Sequence, residues 1–206
     1  MTTVLSGTGL SNDLAIVRDV STSVPDFRQA VHRIGLHLAV EVSKNLPSQS
    51  GTVRTPLEET SVARLHGSVV LLPVLRAGLG LLDAFLDVIP SATVGFAGLR
   101  RNEESLQPEE YYRRLPDSDK HTTFVVIDPM LATGGSLSAT CAMLRGLPDQ
   151  KIMAACLIAA PEGLRVMEQD HPDVSVVLAA LDEKLNNVGF IVPGLGDAGD
   201  RLFGTL

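Results

Sequence analysis

Short unbroken apolar runs alternate along the chain with stretches whose apolar residues recur every three or four positions. Ser68 to Val74, Ala92 to Ala97, Phe124 to Ile127, Lys151 to Ala160 and Val174 to Leu181 read as buried strands. Pro25 opens a helix in which Phe27, Val31, Ile34, Leu38 and Val42 keep helical spacing. A second helix carries Leu79, Leu82, Leu86 and Ile89 on its expected inner face. A third carries Leu137, Cys141 and Leu144, and a fourth runs from Pro161 to Gln169. Strands that alternate with helices imply βαβ units, a parallel sheet and right-handed crossovers. In such sheets ligands bind beyond the C-terminal ends of the strands. Arg76, Arg101 and Asp128 each follow a predicted strand, so the topology should gather them at one edge.

Other stretches lack either period. Residues 1–24 are polar and read as an extended arm that packs on a neighbour, with another subunit as one candidate. Leu46 to Gly51 is a breaker, and Val53 to Arg64 fits neither helix nor strand decisively. Residues 99–116 are densely charged and carry both tyrosines, which suggests a protruding hairpin or lid; a solvated charged excursion is the plainer alternative. Residues 183–206 are too rich in Gly and Pro for a regular element. Phe190, Ile191, Val192 and Phe203 argue that this tail is docked, where its bare backbone could read a flat polar ring. The expectation is one α/β domain spanning residues 1–206.

Composition narrows the class. Apolar residues make up 45% of the 206 and aromatics only 4%, which suits an aliphatic core around a parallel sheet. A net charge of −7 argues against a nucleic-acid surface. No apolar run is long enough for a membrane span, and no signal-peptide pattern opens the chain. Cys141 and Cys156 lie among apolar residues and read as reduced packing groups, a disulfide being the weaker alternative; a cytoplasmic location is expected.

The most informative chemistry sits in Asp128-Pro129-Met130-Leu131-Ala132-Thr133-Gly134-Gly135-Ser136, between a strand and a helix. Glycines let the main chain approach and point its N–H groups inward, and the helix start adds partial positive charge. Thr133 and Ser136 can donate hydroxyls, and Asp128 can accept hydrogen bonds from sugar hydroxyls. The alternative is an ordinary βα turn with a Ser cap. No Gly-Lys-Ser/Thr follows and the G-x-G-x-x-G spacing is missing, which excludes the Walker and dinucleotide fingerprints. Arg76 is either a surface cation or, at a turn between two apolar elements, an anion ligand.

These residues resemble the phosphoribosyl pyrophosphate loop of uracil phosphoribosyltransferases. Pro73-Val-Leu-Arg-Ala-Gly-Leu-Gly80, Arg101-Asn-Glu-Glu-Ser105 with Tyr111-Tyr112, Ala160-Pro-Glu-Gly163 and Phe190-Ile-Val-Pro-Gly-Leu-Gly-Asp-Ala-Gly-Asp-Arg201 agree, in the family's order. The resemblance implies a type I phosphoribosyltransferase fold: a mostly parallel sheet flanked by helices, with a small hood and a flexible hairpin. It implies transfer of the 5-phosphoribosyl group from phosphoribosyl pyrophosphate to N1 of uracil, giving UMP and pyrophosphate, with Mg²⁺. Ala132 to Ser136 would hold the 5′-phosphate, Asp128 the ribose, and Arg76 and Arg101 the pyrophosphate. Ile191, Gly196, Asp197 and Ala198 would contact uracil, with Asp197 also reaching phosphoribosyl pyrophosphate through the metal. Homo-oligomers, most simply dimers, and GTP as an effector are further implications. Leu10-Ser-Asn12 stands where the family often has His-Pro, Phe190 where it usually has Tyr, and Ser105 where it usually has Thr. A different base, or a weakly catalytic regulator that binds phosphoribosyl pyrophosphate, are the rival expectations.

Overall fold

The computed structural model describes residues 1–101, 108–145 and 150–205; for 99–101 and 108–110 it describes the backbone alone. The chain begins with β1 (Thr2–Val4), α1 (Thr8–Arg18) and α2 (Val24–Lys44), followed by a hairpin of β2 (Ser48–Arg54) and β3 (Glu59–Leu65). Next come β4 (Val69–Leu75), α3 (Leu79–Val88), β5 (Thr93–Val94), β6 (Phe96–Arg101) and β7 (Pro108–Arg114). The second half comprises β8 (Thr123–Ile127), β9 (Met130–Leu131), α4 (Gly135–Leu144), β10 (Lys151–Ala159), α5 (Pro161–Asp170) and β11 (Ser175–Leu181). A tail with β12 (Lys184–Leu185), β13 (Ile191–Val192) and α6 (Ala198–Phe203) closes the chain.

The main sheet runs β1-β11-β10-β8-β4-β6-β7, parallel throughout except for β7, which returns antiparallel along β6. All five described side chains of β8 are buried, as befits a central strand covered on both faces. Successive residues alternate between two cores. Val69 and Leu71 of β4, with Val125 and Ile127 of β8, pack in the layer that holds Phe27, Ile34 and Leu38 of α2 and Phe85 of α3. Val70, Leu72, Phe124 and Val126 pack in the opposite layer with Leu137, Cys141 and Leu144 of α4. The five α2 positions expected from helical spacing are all buried. Ser23 caps that helix by accepting from the Asp26 amide at 3.3 Å, with Pro25 in its first turn.

Cys141 and Cys156 are free and buried. Burial pushes the Cys141 thiol up to about 12 and Cys156 well above its ordinary range, so both stay protonated packing groups.

Four local expectations need correction. Residues 1–24 are not an extended arm: β1 pairs with β11, and α1 buries Leu10 and Val17 against this chain's own core. Polar residues in α1 hid its narrow apolar stripe, and Asp13, which accepts from Arg33 Nε at 2.8 Å, is satisfied inside it. The inner face of α3 centres on Leu81, Ala84 and Phe85; of the four residues expected there Ile89 is buried, Leu82 and Leu86 are half-buried against the core, and Leu79 is exposed. The turn 76–78 sets the phase of that helix, and a Leu-rich sequence alone does not mark it. Ser48 to Leu65 is an exposed hairpin rather than a breaker and an ambiguous run. The tail does contain regular elements, and of its four apolar anchors only Ile191 is buried.

Leu81→Ala should cost about 2–5 kcal/mol, whereas Leu79→Ala should cost less than about 1 kcal/mol, read as shifts in urea unfolding midpoints. Equal costs would contradict the corrected helix face.

Candidate active site

Adjacent parallel strands set two of the charged groups side by side. Pro73 of β4 pairs with Ile127 of β8, so the residues just beyond, Arg76 and Asp128, leave the same edge of the sheet. The Leu75–Arg76 peptide is cis. The Arg76 guanidinium is 62% exposed and lies 3.8 Å from the Asp200 carboxylate of α6. Such a long, solvated pair contributes little to stability and leaves the cation free for an anionic ligand.

Asp128 is held by main chain: its N–H donates to Ala155 O at 3.1 Å and its Oδ1 accepts from Met130 N at 3.4 Å. Burial raises its carboxyl to about 7, with the Met130 amide pulling weakly the other way. A carboxylate shifted this far in a cleft is a mark of a functional site.

The loop after Asp128 is built by close approach. Gly134, at φ 83°, is the N-cap of α4 and supplies no side-chain cap; the first helical bond runs from Ser138 N to Gly134 O at 2.8 Å. Helix geometry therefore leaves the Gly135, Ser136 and Leu137 amides without intrahelical partners, which makes an anion-binding end. The start of α5 lies directly beneath: a Cβ on Gly163 would fall 2.5 Å from Ala132 O and 2.7 Å from Leu131 O. That contact is why Gly follows Pro161-Glu162.

The tail supplies the third wall. Asp197 caps α6 by accepting from Asp200 N at 2.9 Å, which leaves its other oxygen free. A Cβ on Gly199 would lie 3.2 Å from Asp197 Oδ1 and 3.9 Å from Arg76 Nη2, so bare backbone brings the tail close to the arginine. Together these elements enclose a cleft of about 340 Å³, lined by Arg76, Ala77, Asp128, Met130, Ala132 and, from the tail, residues 189–191 and 196–199. The volume suits a small-molecule ligand.

Of the expected site residues, Arg76, Asp128, Met130, Ala132, Ile191, Gly196, Asp197 and Ala198 therefore share one cleft. Thr133 to Ser136 form the adjoining turn. Pro129 and Leu131 point elsewhere: both are buried, and their carbonyls accept from Leu157, Ile158 and Ala160 amides, tying the loop to β10. Arg101 ends β6, and its side chain lies outside the described residues. Three lining residues lie outside the expectation: Ala77, Gly189 and Phe190, the last a docking anchor by its apolar character yet 45% exposed; Gly199 is one of the tail glycines whose bare backbone suits a flat polar ring.

Because the Asp128 carboxyl titrates near 7 when folded and in the ordinary range near 4 when unfolded, its ionisation costs stability. The cost is absent below pH ~4, grows as pH rises to ~7, and is constant above. Asp128→Asn should raise stability at pH 8 by about 1–3 kcal/mol, the partial exposure of the side chain moderating the figure, and the two proteins should converge near pH ~4 in urea titrations.

Comparison with known proteins agrees with this geometry. Residues 4–205 match the family model described as uracil phosphoribosyltransferase. The chain is 50% identical over 199 residues to a uracil phosphoribosyltransferase of Halalkalibacterium halodurans, covering 95% of this chain and 94% of that one. It is 47% identical over 193 residues to one from Clostridium perfringens, covering 93% and 92%. A solved structure of a protein from Aquifex aeolicus superposes with a TM-score of 0.90 at 38% identity, covering 98% of both chains. A purine phosphoribosyltransferase from Pyrococcus horikoshii shares the fold alone, at a TM-score of 0.50 and 16% identity over 75% of this chain and 87% of that one.

Proposed function

The chain belongs to the uracil phosphoribosyltransferase family and is a pentosyltransferase that makes UMP from uracil; from that premise we propose how its own groups divide the work. The observation that carries the reading is that Arg76, Asp128 and Asp197 line one cleft, between an uncapped helix N-terminus and a glycine-rich tail.

The 5′-phosphate of phosphoribosyl pyrophosphate sits in the turn from Ala132 to Ser136, held by main-chain amides and the Thr133 and Ser136 hydroxyls. Asp128, ionised, accepts hydrogen bonds from the ribose hydroxyls. Arg76 and Arg101 take the pyrophosphate. Uracil lies against Ile191 and the 196–198 backbone. N1 of the base bonds to the anomeric carbon as the bond to pyrophosphate breaks, through an oxocarbenium-like state by analogy with glycoside chemistry, and the N1 proton passes to water or to the released pyrophosphate. Charge gathers on the departing pyrophosphate, where the two arginines stabilise it. The lid expected over residues 99–116 lies in part, at 102–107, outside the described residues.

Mg²⁺ fits this donor set. Among the described residues no three His, Cys, Asp or Glu side chains cluster as a metal cage. The cleft instead offers two separate carboxylates, Asp128 and Asp197. Mg²⁺ commonly binds by one or two carboxylates with substrate phosphates completing the shell. Asp197 is its candidate protein ligand, and the ion would supply charge neutralisation at the leaving group.

Base choice follows from hydrogen-bond pattern. Uracil presents an acceptor-donor-acceptor edge that main-chain N–H, C=O and N–H groups complement. Cytosine would set its amino group against a donor, at roughly 1–3 kcal/mol per unsatisfied buried group. The assembly is a homo-oligomer, most simply a two-fold dimer, with GTP as its effector; light scattering and GTP titration of the assay check these two points.

A coupled assay of UMP formation from uracil, with and without Mg²⁺, tests the proposal directly. Asp128→Asn and Arg101→Ala should each lower turnover by about 10²-fold or more with an unchanged circular dichroism spectrum. Unaltered turnover in either variant would remove that residue from the mechanism. Turnover with hypoxanthine or xanthine rather than uracil would overturn the assignment of the base.

A further inference from the structure

Arg18 stands in the last turn of α1, far in sequence from the residues that line the cleft, yet its guanidinium reaches the tail. Its Nη1 donates to Asp182 Oδ2 at 2.9 Å and to Gly194 O at 2.9 Å, and its Nη2 donates to Asp182 Oδ1 at 2.5 Å. Asp182 is buried, and its Oδ2 also accepts from Gly194 N at 2.8 Å. Both main-chain polar groups of Gly194 are thus held by one ion pair. Gly194 sits at φ 66°, two residues before the Gly196 that lines the cleft.

The anchoring is reciprocal. Arg201 of α6 donates to Leu195 O at 2.8 Å, to Asp19 O at 2.6 Å and to Val17 O, and it stacks 4.3 Å over the Phe27 ring. An arginine from α1 therefore grips the tail at Gly194, while an arginine from the tail grips the end of α1. Leu195, between the two grips, is buried. None of these groups lines the cleft except through the backbone they fix.

We propose that Arg18 is a positioning residue for the base: with Asp182 it sets the Gly194–Gly196 turn at the height where main-chain groups meet the pyrimidine edge. The inference rests on the reading of the tail as the uracil-binding wall. It makes the N-terminal helix part of the specificity apparatus, although α1 contributes nothing to the cleft surface. A flexible Gly-rich turn offers its N–H and C=O groups in one arrangement only if something outside it removes the alternatives. A bidentate guanidinium that also reaches a carbonyl does this, and a lysine ammonium cannot span all three acceptors.

The test is Arg18→Lys, compared with wild type in two measurements. In steady-state kinetics the KM for uracil should rise about tenfold, while kcat and the KM for phosphoribosyl pyrophosphate stay within about twofold. Uracil-over-cytosine preference should fall by a similar factor. In hydrogen exchange of the ligand-free protein, amides of residues 194–199 should exchange about tenfold faster, with those of 133–138 unchanged. Arg18→Met together with Asp182→Asn serves as the second variant, since it avoids stranding a buried charge. A parallel rise in both KM values, or lost stability with uracil KM and base preference intact, would reduce Arg18 to a purely structural role and overturn the proposal. Unchanged exchange in 194–199 would overturn it independently of any activity. A wild type that makes no UMP would instead defeat the functional reading, and the exchange measurement would still decide whether Arg18 holds the tail.

Discussion

Parallel pairing of β4 with β8 is the constraint from which the site follows. Two parallel neighbours in register end at the same height, so whatever follows each of them must emerge side by side. Pro73 opposite Ile127 fixes that register, and Arg76 and Asp128 inherit their proximity from it. The register itself is enforced by burial. Val70, Leu72, Phe124 and Val126 belong to one core while Leu71, Val125 and Ile127 belong to the other, so a slip of one residue would exchange the two faces throughout. Burial in the strands and chemistry at their ends are the same arrangement seen from two places.

That arrangement has an energetic cost at the site. Asp128 sits where its ionisation is disfavoured, and Arg76, which lines the same cleft, is paired with Asp200 and only loosely. A molecule selected for stability alone would place an amide or an apolar side chain at position 128. A desolvated carboxylate that no cation among the described residues is shown to neutralise fits a role completed by ligand: ribose hydroxyls would favour its charged form. The start of α4 has the same character, since Gly134 supplies no side-chain cap and helix geometry leaves the first amides without intrahelical partners.

Much of this was legible in the sequence because it depends on local pattern. Unbroken aliphatic runs gave the strands, helical spacing gave the buried face of α2, and the acid-then-glycine loop gave the strand-to-helix turn. What stayed hidden depends on partners distant in sequence. The α1 helix has a weak apolar stripe whose buried aspartate makes sense only beside Arg33. The buried face of α3 takes in Ala84 and Phe85 with only one of its leucines, Leu81, fully buried, so leucine spacing alone misplaces it. Gly199 reads as one more flexible residue until Arg76 and Asp197 are seen against it. Pro129 and Leu131 belong to a motif whose neighbours Asp128, Met130 and Ala132 line the cleft, yet their own carbonyls serve β10.

The tail shows how a segment unsuited to holding its own shape is given one. Gly189, Gly194, Gly196 and Gly204 all adopt positive φ, and each such glycine carries a large conformational entropy into the unfolded chain. Apolar burial offsets part of this through Ile191, Leu195, Ala198 and Leu202. Apolar packing is non-directional, however, and a surface that distinguishes donors from acceptors needs direction. The directional contacts come from Asp182, Arg18 and Arg201, which bind main-chain groups at Gly194 and Leu195 and tie them to the opposite end of the chain. The small chain of alternating glycines can therefore present its backbone to a ligand without any side chain of its own doing the reading, because the rigidity it lacks is supplied by Arg18, Asp182 and Arg201, side chains that do not line the cleft.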